Sequence, residues 1–285
     1  MREPRTGRSH YGAVSKLAAV TLLLTIVSAA EVTPATPDTR EQAWAVLNEG
    51  LKHDHASHRM IAVQALSLMA KNRTAERLAM RALKDHDIKV RASAATTLGL
   101  LNARQAIPAL RQALQDPQIV VVLSAAQALY LMKDPSAYDI YYAILMGDRK
   151  SNNGLLQSQL DRLKDPKQMM QLGIQEGISF VPFGGMGYEA FRELKSHNGA
   201  SARAAAARFL ARDPDQITED ALLQAAVADK DEEVRLAALD ALAERGNPKC
   251  IERLAKNLNE DKSAVRYRTA AAILHLGDLE KHPKK

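Results

Sequence analysis

Asp87-Ile88-Lys89-Val90-Arg91 decides the fold of this 285-residue chain, because it returns as Asp231-Glu232-Glu233-Val234-Arg235 and, in shorter form, as Ala264-Val265-Arg266. The phrase recurs about every 31 or 32 residues, and each time small residues and leucine follow on one helical face. A shift of 144 residues carries Val90, Arg91, Ala94 and Leu98 onto Val234, Arg235, Ala238 and Leu242, then Ile107, Leu110 and Leu114 onto Ile251, Leu254 and Leu258. Spacings of three and four within each set describe two amphipathic helices joined by a turn. At that turn Asn102 corresponds to Gly246, and both residue types tolerate the left-handed conformation that ends a helix. A fixed period of this size predicts stacked helix pairs, since one unit cannot bury its apolar face without a neighbour.

Outward from these two copies, the same frame places others at about 54–85, 117–148 and 201–229, with a final, incomplete copy from 262. The expected fold is all-α, an α-α superhelix of about six helix-pair repeats, one of them degenerate with an inserted loop. Composition agrees: the chain is 46% hydrophobic but 4% aromatic, so Ala, Leu, Val and Ile must build the core.

The motif Val-Arg-x-x-Ala-Ala-x-x-Leu, as in Val234-Arg235-Leu236-Ala237-Ala238-Leu239-Asp240-Ala241-Leu242, followed by a helix such as Ala106-Ile107-Pro108-Ala109-Leu110, resembles short HEAT repeats of the phycobilin-lyase kind. The resemblance covers most of residues 43–280. It implies a ladder of Asp and Arg between neighbouring repeats, falling here on Asp87, Asp231, Arg91 and Arg235, with Arg59, Arg203 and Arg266 at the matching Arg position. Their expected role is structural, because a deeply placed guanidinium needs its fork of donors satisfied.

In the third unit Leu123 takes the Arg position, and the next recognisable Arg is Arg203. The stretch between includes Gly177-Ile178-Ser179-Phe180-Val181-Pro182-Phe183-Gly184-Gly185-Met186-Gly187-Tyr188, the least helix-like part of the chain after residue 30. Aromatics gather nearby, and Tyr138, Tyr141, Tyr142, Phe180, Phe183, Tyr188 and Phe191 are candidate partner-binding residues, since solenoid insertions often emerge on the binding face. The alternative is that large side chains fill an imperfect joint between repeats. The glycines lack the preceding strand and the Lys-Ser/Thr pair of a phosphate loop.

His53, His55 and His58 are weak candidates for a metal site, because residues three or four apart on a helix share a face. The competing reading is a solvated, histidine-rich turn. The chain has no His-Glu dipeptide, the pair used for di-iron by the deoxyhypusine hydroxylases of similar architecture, and no Gly-x-Ser-x-Gly, Cys-x-x-Cys or His-Glu-x-x-His. Cys250, the single cysteine, suits a core position and excludes an internal disulfide.

The first thirty residues read as an export signal: Arg2, Arg5, Arg8 and Lys16 precede the apolar run Leu17 to Val27 and the small residues Ser28-Ala29-Ala30. Cleavage is expected after Ala29 or Ala30, with an uncleaved membrane anchor, or a cytosolic protein with a buried helix, as alternatives. These residues carry +3 of the formal +6 charge, so the pI of 9.3 gives little support to nucleic-acid binding. The expected organisation is a signal peptide over 1–30, a linker over 31–42, repeats over 43–148, a degenerate repeat with its Gly/aromatic insert over 149–199, and repeats over 200–285. The expected function is a non-catalytic, periplasmic or secreted scaffold that binds another protein and needs no cofactor. The alternative is an enzyme or a chromophore- or metal-handling protein of the same architecture.

Overall fold

The computed structural model describes residues 37–145 and 199–281, with side chains over 39–141 and 203–281, all within one compact unit that spans residues 33–285. The expected signal peptide and the Gly/aromatic insert lie outside these residues. Among the described residues every regular element is a helix, and the fold is the expected all-α solenoid. The helices are α1 (Pro37–Lys52), α2 (Ala56–Ala65), α3 (Arg73–Ala82), α4 (Ile88–Leu100), α5 (Ile107–Ala113), α6 (Ile119–Leu131), α7 (Ser136–Leu145), α8 (Gly199–Leu210), α9 (Gln216–Ala228), α10 (Glu232–Arg245), α11 (Ile251–Leu254) and α12 (Ser263–Lys281). Short 3-10 turns extend α2, α5 and α11. Helix α1 begins six residues before the expected end of the linker. Proline at the first helical position explains this, since the N–H it lacks has no acceptor within the helix at that point.

Local chemistry sets the repeat. Asp87 caps α4 by accepting the amides of Lys89 and Val90 at 2.8 and 3.3 Å. Val90, Ala94, Ala95 and Leu98 then point inward and are fully buried. The turn that follows passes through a left-handed residue, Lys71, Asn102, Lys133 or Gly246, with φ of +63, +50, +60 and +73°. Asn102 and Gly246 carry this conformation cheaply, whereas lysine pays a steric cost at Cβ.

Helices α4 and α6 are both 13 residues long and are offset by 31, so that buried Val90, Ser93, Ala94, Ala95, Thr97 and Leu98 correspond to buried Val121, Ser124, Ala125, Ala126, Ala128 and Leu129. The residue at the Arg91 position of the third repeat is therefore Val122, 1% exposed, and not the Leu123 expected from a 32-residue step. A buried valine cannot make the guanidinium contacts, so the motif does lapse there, one residue earlier than expected.

The inner helices stack in the order α8, α10, α12, α2, α4, α6. Second-layer helices pack on this row: α9 on α10, α11 on α12, α3 on α4, α5 and α7 on α6. The order runs with the sequence except at its middle, where α12, the last described helix, packs against α2, the inner helix of the first repeat. Helix α12 has no outer helix after it among the described residues, and α1 has no inner helix before it. The two pair with each other, and α1 also packs on α2. The incomplete copy from 262 is thus completed by residues 37–52 from the other end of the chain.

This pairing is antiparallel. Near the start of α1, Arg40 reaches Asp278 at 2.7 Å, and near its end Glu49 lies 3.5 Å from Arg266. Ala43, Leu47 and Gly50, spaced four and three, form the buried stripe of α1. Gly50 is required by close approach: a Cβ there would lie 2.6 Å from Cζ of Tyr267 and 2.9 Å from Cβ of Ala62.

Candidate functional site

The guanidinium groups of the repeat motif work as cross-braces. Arg59 donates through Nε and Nη2 to both oxygens of Asp85 at 2.8 and 2.9 Å, and through Nη1 to the carbonyls of His53 and Asp54. Arg91 repeats this one unit on, with Asp116 at 2.8 and 3.1 Å and the carbonyls of Asp85 and His86 at 3.0 and 3.1 Å. Each arginine therefore ties two successive inter-repeat turns together with a bidentate, charge-assisted pair. Arg203 pairs with Asp229 and Asp231, and Arg235 with Glu260 at 2.5 Å and the Ala226 carbonyl at 3.2 Å. Arg266 departs from the pattern, pointing toward Glu49 and the Glu260 carbonyl.

The acid in this brace stands two residues before the helix cap, as the first of an Asp-x-Asp pair at Asp85 and Asp229 and of Asp-Pro-Gln at Asp116. Asp85, Asp116 and Asp229 each accept the amide two residues on and receive the guanidinium, whereas Asp87, the expected partner, is spent on the α4 cap. Burial by itself would raise the Asp85 carboxyl, but the Arg59 hydrogen bonds and the Asp87 amide hold it below its ordinary range. Arg235 lowers Glu260 in the same way, and the Asp231 amide, followed by Arg203, lowers Asp229. The 31-residue spacing of Asp85 and Asp116 was the signal for this role, hidden by the second acid of the pair.

The three histidines do come together. The rings of His53 and His58 stack at 4.0 Å with 10° between planes, and His55 lies 5.4 Å from His53 and 6.4 Å from His58. Stacked rings direct their lone pairs in parallel planes rather than at one point. In addition, Nδ1 of His53 accepts the His55 amide at 3.1 Å, and Nδ1 of His58 lies 3.0 Å from the Tyr267 hydroxyl. Among the described residues no group of three His, Cys, Asp or Glu is arranged to hold a metal.

Of the aromatic candidates, Tyr138 is 48% exposed and Tyr141 is half-buried, and both stand edge-on to Tyr130, at 5.9 and 6.1 Å. Burial, then Tyr130, pushes the Tyr141 phenol above its ordinary range. The side chain of Tyr142, and all of Phe180, Phe183, Tyr188 and Phe191, lie outside the described residues. Cys250 is buried, and desolvation followed by the nearby Glu219 raises its thiol to about 12, so it stays protonated and unreactive.

The inner layer carries a shallow groove lined by Gln64, Ser67, Ser93, Thr96, Thr97, Leu100 and Arg268. Arg268 closes it by donating to Asp240, to the Gln64 carbonyl and to Ser67 Oγ, linking α10 to α2 through α12. Leu100 ends α4 with 61% of its surface exposed, and Leu131, its counterpart one repeat on, ends α6 with 42% exposed. Phe209 and Ile217, on α8 and α9, are both 77% exposed. The sequence singled out none of these, because a leucine at the end of a helical stripe reads the same whether it is buried or exposed.

Helix pairs braced by a guanidinium ladder, with a groove along the inner layer, define an α-solenoid of the kind that presents surfaces. The family profile for HEAT repeats matches residues 76–150 and 189–274, and the chain belongs to the HEAT-repeat family. No curated protein sequence matches it. Solved structures similar to it include human deoxyhypusine hydroxylase in complex with glycerol, at 16% identity over 84% of this chain and 97% of that one, with a TM-score of 0.33. The complex of CpcE and CpcF of phycocyanin lyase from Nostoc sp. PCC7120 is similar at 19% identity over 81% and 94%, with a TM-score of 0.34. An engineered protein is similar at 16% identity over 85% and 97%, with a TM-score of 0.28.

Proposed function

We propose that this chain is an exported scaffold whose work is to bind another protein along its inner helical layer, without chemistry of its own. The observation that carries the reading is the pair Leu100 and Leu131. They occupy one register position in successive repeats, stand exposed, and Leu100 borders the groove of Gln64, Ser67, Ser93, Thr96 and Arg268. Exposed apolar side chains beside neutral hydrogen-bonding groups are the composition of a binding patch rather than of a reaction centre. Ionisable groups of the repeat motif are spent on structure: the arginines brace the turns, Asp87 caps a helix, and Glu219 lies buried between Gln216 and Asn247. Export rests on the basic and apolar character of residues 1–30.

The test is affinity capture from the cell envelope with the wild-type chain and a Leu100→Asp, Leu131→Asp variant. A partner retained in stoichiometric amount by the first and lost by the second is the expected result. Equal retention by a folded variant would remove the inner layer from consideration. Fractionation with amino-terminal sequencing checks export, for which a start at residue 30 or 31 is expected, and recovery of the full-length chain in the cytosol would overturn it.

A further inference from the structure

We propose that the turn carrying His53, His55 and His58, together with Tyr267, is a pH-sensitive latch that joins the amino-terminal and carboxy-terminal repeats at neutral pH and loosens their junction on acidification.

Tyr267 is the largest fully buried side chain of the described residues, and the one aromatic ring in the core they form, which is built mainly of Ala, Leu, Val and Ile. It stands where three helices meet: it belongs to α12, its ring rests on Gly50 of α1, and its hydroxyl reaches His58 of α2. A phenol at this depth needs a partner, because an unsatisfied buried hydroxyl pays its full desolvation cost. With the ring proton on Nε2, neutral His58 accepts the Tyr267 hydrogen at Nδ1. Protonation turns Nδ1 into a donor, so the phenol oxygen must accept instead and its own hydrogen loses its acceptor.

The surroundings add to this. His58 is stacked on His53, with His55 beyond it, and Arg266 of α12 lies on the same side, its guanidinium carbon 5.4 Å from the Tyr267 ring centre. Glu49 of α1 is the opposing charge, and Asp54 lies within the turn itself. A proton on His58 therefore adds positive charge beside one arginine and two further imidazole rings, against those two acids. Desolvation first, then His53, His55 and Arg266, hold His58 below its ordinary value of 6.5, with Glu49 acting the other way. The folded state thus binds this proton less readily than the unfolded chain. The stabilising contribution is complete above 6.5, declines as the pH falls below it, and levels off once the pH is beneath the folded value.

The junction is where the effect must appear, because α12 is bonded to the amino-terminal half at several levels, Arg266 to Glu49 among them. Asp278 accepts from Arg40 and Asn72, Arg268 reaches α2, and Tyr267 reaches His58. The last of these is the one that runs through an imidazole ring.

Two measurements test the latch. The first is the titration of the His58 ring by NMR in the wild-type chain, where an apparent value below 6.5 is expected and one at or above it would overturn the proposal. The second is amide hydrogen exchange at pH 7.5 and 5.5, corrected for the intrinsic rate, in wild type and in His58→Gln, which keeps an acceptor for the phenol but no titrating group. In wild type, exchange in residues 37–52 and 263–275 should accelerate severalfold at the lower pH while α4 stays protected, and His58→Gln should remove that acceleration. The same acceleration in both proteins would exclude His58 as its origin. If His58→Gln does not fold, His53→Gln with His55→Gln serves: removing the two like-charged neighbours must raise the His58 titration, and an unchanged value would refute the arrangement.

Discussion

Arg59 shows how much of the solenoid's cohesion rests on single side chains. Its side chain is 9% exposed, its acceptor Asp85 is 14% exposed, and five hydrogen bonds or ion-pair contacts converge on it from two turns. An exposed ion pair contributes under about 1 kcal/mol, and removal of one member of a fully buried pair costs roughly 3–5 kcal/mol. Arg59→Ala falls between these, and a loss of about 2 kcal/mol in urea unfolding at pH 7 is expected. The pH dependence distinguishes the brace from lost packing. Since Asp85 is held below its ordinary 3.8 in the folded state, its contribution is present above that value and vanishes as the pH falls through the folded one. The gap between wild type and Arg59→Ala should therefore narrow below about pH 4, and a gap constant down to pH 2 would assign the effect to packing. The arginines were legible in the sequence because each stands next to an apolar residue that fixes its phase. Their acceptors were not, since Asp85 and Asp87 look alike in a linear pattern, and only the turn geometry makes one a brace and the other a cap.

At the scale of elements, α1 behaves as part of the last repeat rather than as a preface to the first. Leu47 is fully buried in its pairing with α12, and Leu47→Ala should cost roughly 2–5 kcal/mol. Gly50→Ala forces a methyl group against the Tyr267 ring and should cost about 1–3 kcal/mol. Urea unfolding measures both. The same alanine at Gly50 combined with Tyr267→Phe should cost no more than the sum of the two, since the phenyl ring still occupies the contact. The sequence shows an amphipathic α1 and an incomplete copy from 262, but not that each is the other's missing half. Repeat reasoning assigns neighbours by adjacency along the chain, and this pair is joined across it. Tyr267 escaped notice for a related reason: it occurs in one repeat only, and a search for recurrence passes over what does not recur.

For the whole molecule, the stacking order α8, α10, α12, α2, α4, α6 is the order a chain would have if it began at residue 199 and ran from 281 directly into 37. Arg40 and Asp278 are in contact, so a short Gly/Ser linker can bridge the ends. A permuted chain of 199–281, linker and 37–145 should therefore fold with a single cooperative transition and the helical circular dichroism of the parent. An uncooperative, broad transition would show that the junction of α12 with α1 and α2 cannot hold without the natural connection. The natural order has a further consequence for synthesis. Of the described helices α1 leaves the ribosome first, and it meets α12 only when that helix, more than two hundred residues later, has emerged. Folding of this repeat protein therefore cannot be finished from one end: it requires a meeting of the earliest and latest of the described helices, and a chain cut short before α12 would leave the stripe of Ala43 and Leu47 without its partner, a visible mark of incomplete manufacture.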